Sequence, residues 1–150
     1  IALDIIKKYN IPVSIYVIDN CVGKEGYMSW EQIKELDETG LVTINTHGKE
    51  HYNFDQKETN EAVQDVEYAH SQIEEHLGKK QIKVFTYPCG LTKEETRKEL
   101  ENAGFIQNLT DNKINKSKEL NLYGLHRCYP LEDNIWKMML KVKYRSIRYD

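Results

Sequence analysis

The strongest constraint on the fold is an alternation. Short apolar, β-branched runs recur at Val13–Ile18 (VSIYVI), Leu41–Asn45, Ile82–Thr86 and Phe105–Leu109, and a segment of helical periodicity separates each from the next. The first run is almost wholly apolar, as a strand covered on both faces must be. The helices are punctuated. Ser29 with Gln32 three residues on makes a capping box for a helix over 30–38, which stops at Gly40. A long helix over about 57–77 closes at Gly78, and Thr92 caps a helix over 93–102 that ends at Gly104. Ile1–Asn10 reads as an opening helix, 110–120 as a polar loop, Tyr123–Arg127 as a short strand and Asn134–Val142 as a last helix. Strands alternating with helices imply an α/β architecture with a parallel sheet. No linker, repeat or low-complexity stretch divides the 150 residues, so 1–150 is read as a single domain.

In parallel α/β folds, functional residues gather on the loops that follow strands. Two such loops carry chemistry. In the first, Thr46-His47-Gly48-Lys49-Glu50-His51, two histidines stand four residues apart just past a strand. Imidazole is the commonest protein ligand for zinc and its neighbours, so His47 and His51 are candidate ligands of a divalent metal. In the second, Tyr87-Pro88-Cys89-Gly90, proline and glycine let backbone approach a ligand and present N–H groups to an oxyanion. The first run also spells H-x-x-E-H, the signature of an inverted metalloprotease with Glu50 as base. That reading needs a helix over 46–54, against which Gly48 and the preceding β-branched strand argue. His70 and His76 are read as solvated residues of the long helix, and Trp30 and Trp136 as core. Asp19 is read as a loop cap rather than a ligand. Tyr52 and Phe54 are read as packing beside the site, with sugar stacking as the alternative. Lys137–Arg148 is read as a solvated helix face.

Bulk properties remove several functions. A net charge of −3 gives no nucleic-acid-binding surface. No apolar run approaches a membrane span, and no signal-peptide pattern is present. Three cysteines, Cys21, Cys89 and Cys128, without a CxxC pair, make neither a disulfide framework nor a cysteine-rich zinc module.

Several segments, taken in order, resemble the polysaccharide deacetylase family (NodB homology, carbohydrate esterase family 4). They are Ala2-Leu3 with Lys8-Tyr9-Asn10-Ile11-Pro12-Val13, then Ser29-Trp30-Glu31-Gln32-Ile33, Glu38-Thr39-Gly40-Leu41-Val42, the histidine pair, Phe85–Gly90 (FTYPCG) and Asn102-Ala103-Gly104-Phe105. The turn is similar to the F-x-Y-P-x-G branch, and the resemblance runs from Ile1 to about Pro130. It implies a distorted (β/α) barrel that removes acetyl groups from an acetylated glycan with a divalent metal, most often zinc, with cobalt or nickel as alternatives. His47 and His51 match the family's H-x-x-x-H ligands. Tyr87, Pro88, Cys89 and Gly90 match the substrate-side turn, with the Cys89 N–H at the oxyanion. His126, in Leu125-His126-Arg127, matches the general acid; an alternative alignment leaves Arg127 as the functional residue on the substrate side. The family also implies work at or outside the cell envelope.

The departures from the pattern carry expectations of their own. The family's aspartate pair, which supplies the third ligand and the base, precedes the first helix, so the resemblance implies a missing first strand. Weak metal binding and little activity are then expected of these 150 residues. A non-catalytic glycan-binding relative is the alternative to the enzyme. Thr86 stands where many members carry arginine, and Gly48 where serine or threonine is usual.

Overall fold

A computed structural model describes residues 2–109 and 123–126, together with 134, 136, 137 and 139. The alternation becomes a singly wound parallel sheet. Five strands, β1 (Val13–Val17), β2 (Val42–Thr46), β3 (Val84–Thr86), β4 (Ile106–Leu109) and β5 (Leu125–His126), lie side by side in chain order, every neighbouring pair parallel. Sequential order with helical crossovers is the winding of a (β/α) barrel. Among the described residues the sheet is not closed. The joints differ in strength: β1 and β2 pair over five register positions, from Val13↔Val42 to Val17↔Thr46, whereas β2 meets β3 at Thr46↔Phe85 alone.

Helix α1 (Ala2–Tyr9) precedes β1, and α2 (Trp30–Glu38), α3 (Thr59–Leu77) and α4 (Glu94–Asn102) connect β1 to β4 in turn. The capping box at α2 forms as read: Ser29 Oγ accepts from Gln32 N–H while the Gln32 side chain accepts from Ser29 N–H. Gly78 closes α3 in the left-handed conformation, its N–H reaching the Glu74 carbonyl at 2.9 Å. Thr92, in contrast, caps nothing. The residue before α4 is Lys93, which makes no side-chain cap, and the Thr92 hydroxyl turns to the Lys93 carbonyl instead.

Two apolar clusters lie between sheet and helices. Val17, Val42 and Ile44 pack on Ile33 of α2 and Ile73 and Leu77 of α3. Phe54, Phe85, Tyr87 and Phe105 pack on Ala62 and Val66 of α3 and Leu100 of α4. Because successive strand residues alternate faces, burying Val42, Ile44 and Phe85 against helices turns Thr43, Asn45 and Thr86 to the opposite, inner face.

Two expectations change here, and a third gains a contact. His70 is not solvated. It sits beside the apolar stripe of α3, 5% exposed, with its ring edge-on to Phe105 at 5.4 Å and Nε2 3.4 Å from Glu74 Oε1. Burial holds its pKa below the usual imidazole value, opposed by the Glu74 charge. His76 is exposed, as expected, but stacks flat on the half-buried Trp30 with ring centroids 4.1 Å apart. Trp136 is 71% exposed and belongs to neither cluster.

Candidate metal and catalytic site

In a sheet of parallel strands all the carboxyl ends lie at one end, and the candidate residues collect there. β2 ends at Thr46, and the chain leaves it as a loop rather than a helix. Neighbouring elements hold this loop through its backbone. His47 N–H donates to the Val17 carbonyl at 2.8 Å, carrying the ladder one step beyond the strand. The single helical turn after β1, Asp19–Cys21, runs alongside: Asp19 and Asn20 N–H groups donate to the Gly48 and Lys49 carbonyls at 3.2 and 3.0 Å, and Asn20 Nδ2 donates to Glu50 Oε1 at 2.9 Å. Asp19 thus supports the loop through its backbone N–H, not through a side-chain cap.

The third support comes from α3. Asp65 Oδ1 accepts from Lys49 N–H at 2.8 Å. It lies so close that a Cβ on residue 48 would stand 2.9 Å from this oxygen and 3.4 Å from Phe54 Cζ. Gly48 also has φ +90°, which L side chains rarely adopt. Glycine here is therefore required twice, by conformation and by space. Burial pushes the Asp65 carboxyl above its usual range, partly offset by the Lys49 hydrogen bond. The Tyr52 hydroxyl is buried beside Asp65 without a well-formed hydrogen bond, and desolvation together with that carboxylate pushes it upward too. Tyr52 itself stacks on Phe54 at 4.7 Å, so this aromatic pair packs beneath the loop.

The two histidines meet. His47 is half-buried and His51 exposed, their ring centroids 5.2 Å apart at an interplanar angle of 63°. With Zn–N near 2.0–2.1 Å and a ring centre roughly 1.1 Å beyond the nitrogen, two imidazoles on one tetrahedral ion stand about 5 Å apart. The observed spacing therefore fits one ion. The tautomer of His47 is also fixed. Its Nδ1 lies 2.5 Å from the Thr86 carbonyl of β3. A carbonyl only accepts, so Nδ1 carries the proton and Nε2 of the neutral ring carries the lone pair. This is the usual outer contact of a metal-binding histidine. On the same inner face, two residues before His47, Asn45 is 3% exposed and its Oδ1 has no hydrogen-bond partner among the described residues.

The turn after β3 is built differently. Gly90 N–H donates to the Tyr87 carbonyl at 3.2 Å, with Pro88 second in the turn and Cys89 third at φ 56°. These are the marks of a type II turn, in which the third position prefers glycine. Cys89 is strained there, a feature that collects at functional sites. Tyr87 and Pro88 are buried, and the Tyr87 hydroxyl donates to Gln107 Oε1 at 2.5 Å. What the turn offers a ligand is therefore Cys89, which is exposed, and the half-buried Gly90.

The remaining candidates divide. His126 lies on β5 opposite Leu109, which puts its backbone at the same end of the sheet. Arg127 and Cys128 lie outside the described residues. Among the described residues no three His, Cys, Asp or Glu side chains are grouped to hold a metal, so the histidine pair stands without a third protein ligand there. Sequence reasoning missed Asp65. The signal for Asp65 was present, since it falls three residues after Ala62 and one before Val66 on the stripe that α3 buries.

Comparison with known proteins agrees with this geometry. A family model described as polysaccharide deacetylase matches residues 2–107. The Bacillus subtilis protein YxkH, named as a polysaccharide deacetylase, is 28% identical over 127 residues, covering 84% of this chain and 44% of its own. The poly-β-1,6-N-acetyl-D-glucosamine N-deacetylase of Staphylococcus aureus is 28% identical over 116 residues, covering 69% of this chain and 40% of its own. The chain thus spans less than half the length of these curated relatives. Among solved structures, IcaB from Ammonifex degensii superposes with a TM-score of 0.76 at 24% identity, over 99% of this chain and 66% of that one. That likeness shows the barrel-type fold.

Proposed function

The chain belongs to the polysaccharide deacetylase family, and on that premise we propose that it takes part in metal-dependent removal of acetyl groups from a glycan, with His47 and His51 as two ligands of a divalent ion. The observation that carries this reading is the His47 ring, its Nδ1 proton donated to the Thr86 carbonyl and its centroid 5.2 Å from that of His51. A divalent ion at such a pair supplies a Lewis acid for the acetyl carbonyl and a water acidic enough to ionise near neutral pH. Zinc suits two imidazoles best, and cobalt and nickel accept the same donors. The chain's own residues supply the frame. The loop backbone fixes where the loop places the two histidines, and the turn at 87–90 lies at the same end of the sheet, with the Cys89 N–H as the candidate donor to an oxyanion. His126, or Arg127 beside it, is the candidate to protonate or hold the leaving group from β5. Among the described residues no third ligand and no base are assigned.

The glycan class follows from the relative that acts on poly-β-1,6-N-acetylglucosamine, an N-acetylated polymer. Such a substrate places the work at or outside the cell envelope. No described helix is long and apolar enough to cross a membrane. The protease reading has no support in the loop, which is not helical between 46 and 54.

The test is a titration with zinc or cobalt, paired with acetate release from acetylated β-1,6- and β-1,4-linked glucosamine oligomers. Wild type should bind the ion, and His47→Ala and His51→Ala should each weaken binding at least tenfold. Oligomer binding without acetate release would identify a non-catalytic relative. No metal binding in wild type, with both substitutions silent, would sink the metal reading.

A further inference from the structure

The His47–Thr86 contact joins two strands that are weakly tied. β3 has three residues and meets β2 at a single register pair, so that joint does little to fix the Thr86 carbonyl under His47. On its other side β3 is held better, by three register pairs to β4 that end at Thr86↔Asn108. Asn108 is 8% exposed on the inner face, and its Nδ2 donates twice: to Thr86 Oγ1 at 3.2 Å and to the Tyr16 hydroxyl at 3.0 Å. Tyr16 belongs to β1, at the far side of the sheet from β4, and faces inward from its position opposite Asn45. The chain of contacts therefore runs from Tyr16 on β1, over β2, to Asn108 on β4 and back to Thr86 on β3, directly beneath the histidine pair.

We propose that Tyr16 and Asn108 are positioning residues for the metal ligand: together they form a polar strap that holds Thr86, and through its carbonyl fixes the tautomer and aim of His47. The proposal rests on the reading of His47 as a ligand. Its physical basis is that the contacts behind a ligating histidine set ring orientation, and their loss commonly costs 10–100-fold in metal affinity. Thr86 needs a hydroxyl for this role, which a strand residue chosen only for packing does not.

The experiment uses Asn108→Leu, Thr86→Val and Tyr16→Phe, with two readouts. The first is the protonation pattern of the His47 ring by nitrogen-15 NMR of metal-free protein, at a pH where the ring is neutral. The second is zinc affinity. Wild type should show the proton on Nδ1. Asn108→Leu and Thr86→Val should each mix in the Nε2–H tautomer and weaken zinc binding about tenfold or more. Tyr16→Phe should act in the same direction by a few-fold. The Asn108→Leu/Thr86→Val double variant should be no worse than the poorer single, because both remove one contact. If Asn108→Leu fails to fold, Thr86→Val and Tyr16→Phe, which change one oxygen each, carry the test. Wild-type tautomer and wild-type affinity in those two variants would overturn the strap. If instead His47→Ala leaves zinc binding unchanged, the ligand reading falls, and the tautomer measurement still decides whether the strap holds the ring.

Discussion

The loop after β2 and the turn after β3 stand side by side at one end of the sheet, yet they are held in opposite ways. The 47–51 loop is held mainly by contacts from other elements. Its backbone is fixed by Val17, by the turn at Asp19 and Asn20, and by Asp65 of α3, while the half-buried His47 ring reaches the Thr86 carbonyl and His51 is exposed. The 87–90 turn supports itself: Tyr87 and Pro88 are buried and Cys89 is lifted above them. A loop whose backbone is anchored by other elements does not depend on its histidine side chains for that anchoring. A turn anchored by its own side chains presents chiefly backbone. The division matches the two jobs proposed, metal ligation and oxyanion contact.

The contrast breaks first at Gly48. Gly48→Ala adds a Cβ 2.9 Å from Asp65 Oδ1 at φ +90°. It should weaken zinc binding 10–100-fold and cost about 1–3 kcal/mol in thermal or denaturant unfolding. Asp65→Ala should also weaken zinc binding, since Lys49 N–H loses its acceptor. The double variant should be better than the sum, because the steric part of the clash disappears, although the φ strain remains. Additive effects would show that Asp65 does not hold the loop.

Tyr87→Phe should act on the other region alone. Losing the 2.5 Å bond leaves Gln107 Oε1 buried without its donor, at about 1–3 kcal/mol. Zinc affinity should stay within about twofold of wild type; a larger loss would mean that the two regions are coupled. A third measurement addresses what they share. His70 joins α3, the source of the Asp65 clamp, to Phe105, which packs with Tyr87. Its folded pKa is lowered by burial, so the unfolded chain binds the proton more readily. Stability from this group is fullest above the unfolded value of 6.5, declines as pH falls through it, and levels off below the lowered folded value. Glu74, Lys80 and Lys83 are the charged groups facing the ring. His70→Phe should flatten the pH dependence of unfolding in that window, and hydrogen exchange should show both loops protected equally. The smallest effect is expected at Cys89. Cys89→Gly relieves a left-handed residue worth about 1–2 kcal/mol but adds about 0.5–1 kcal/mol of chain entropy. Net stabilisation should be under about 1.5 kcal/mol, with zinc affinity unchanged.

Much of the fold was legible because its signals are local. The capping box at Ser29, the left-handed stop at Gly78 and the strand ending before His47 all depend on near neighbours, and all form. The meeting of His47 with His51 was legible for the same reason. The supports of the site were not. Thr86 acts through a carbonyl that every residue possesses, and Asn108 reaches Tyr16 across 92 positions of sequence. His70 was misread because its polarity was weighed above its place: it lies four residues after Val66 on the stripe that α3 buries. Trp136 was misread the other way, its size taken as a sign of the core. Thr92 follows the capping pattern, yet the helix starts one turn position later than its hydroxyl can serve.

The fit of Gly48 against Asp65 also limits how this loop can be exchanged. A histidine loop from a relative with serine or threonine after the first histidine would bring a side chain into the space that the carboxylate fills. Such a graft keeps both ligands and still misplaces them, unless residue 65 on α3 is shortened in the same step. For exchange between relatives, the smallest portable unit is therefore the loop together with the first two turns of the helix behind it, not the histidine motif alone.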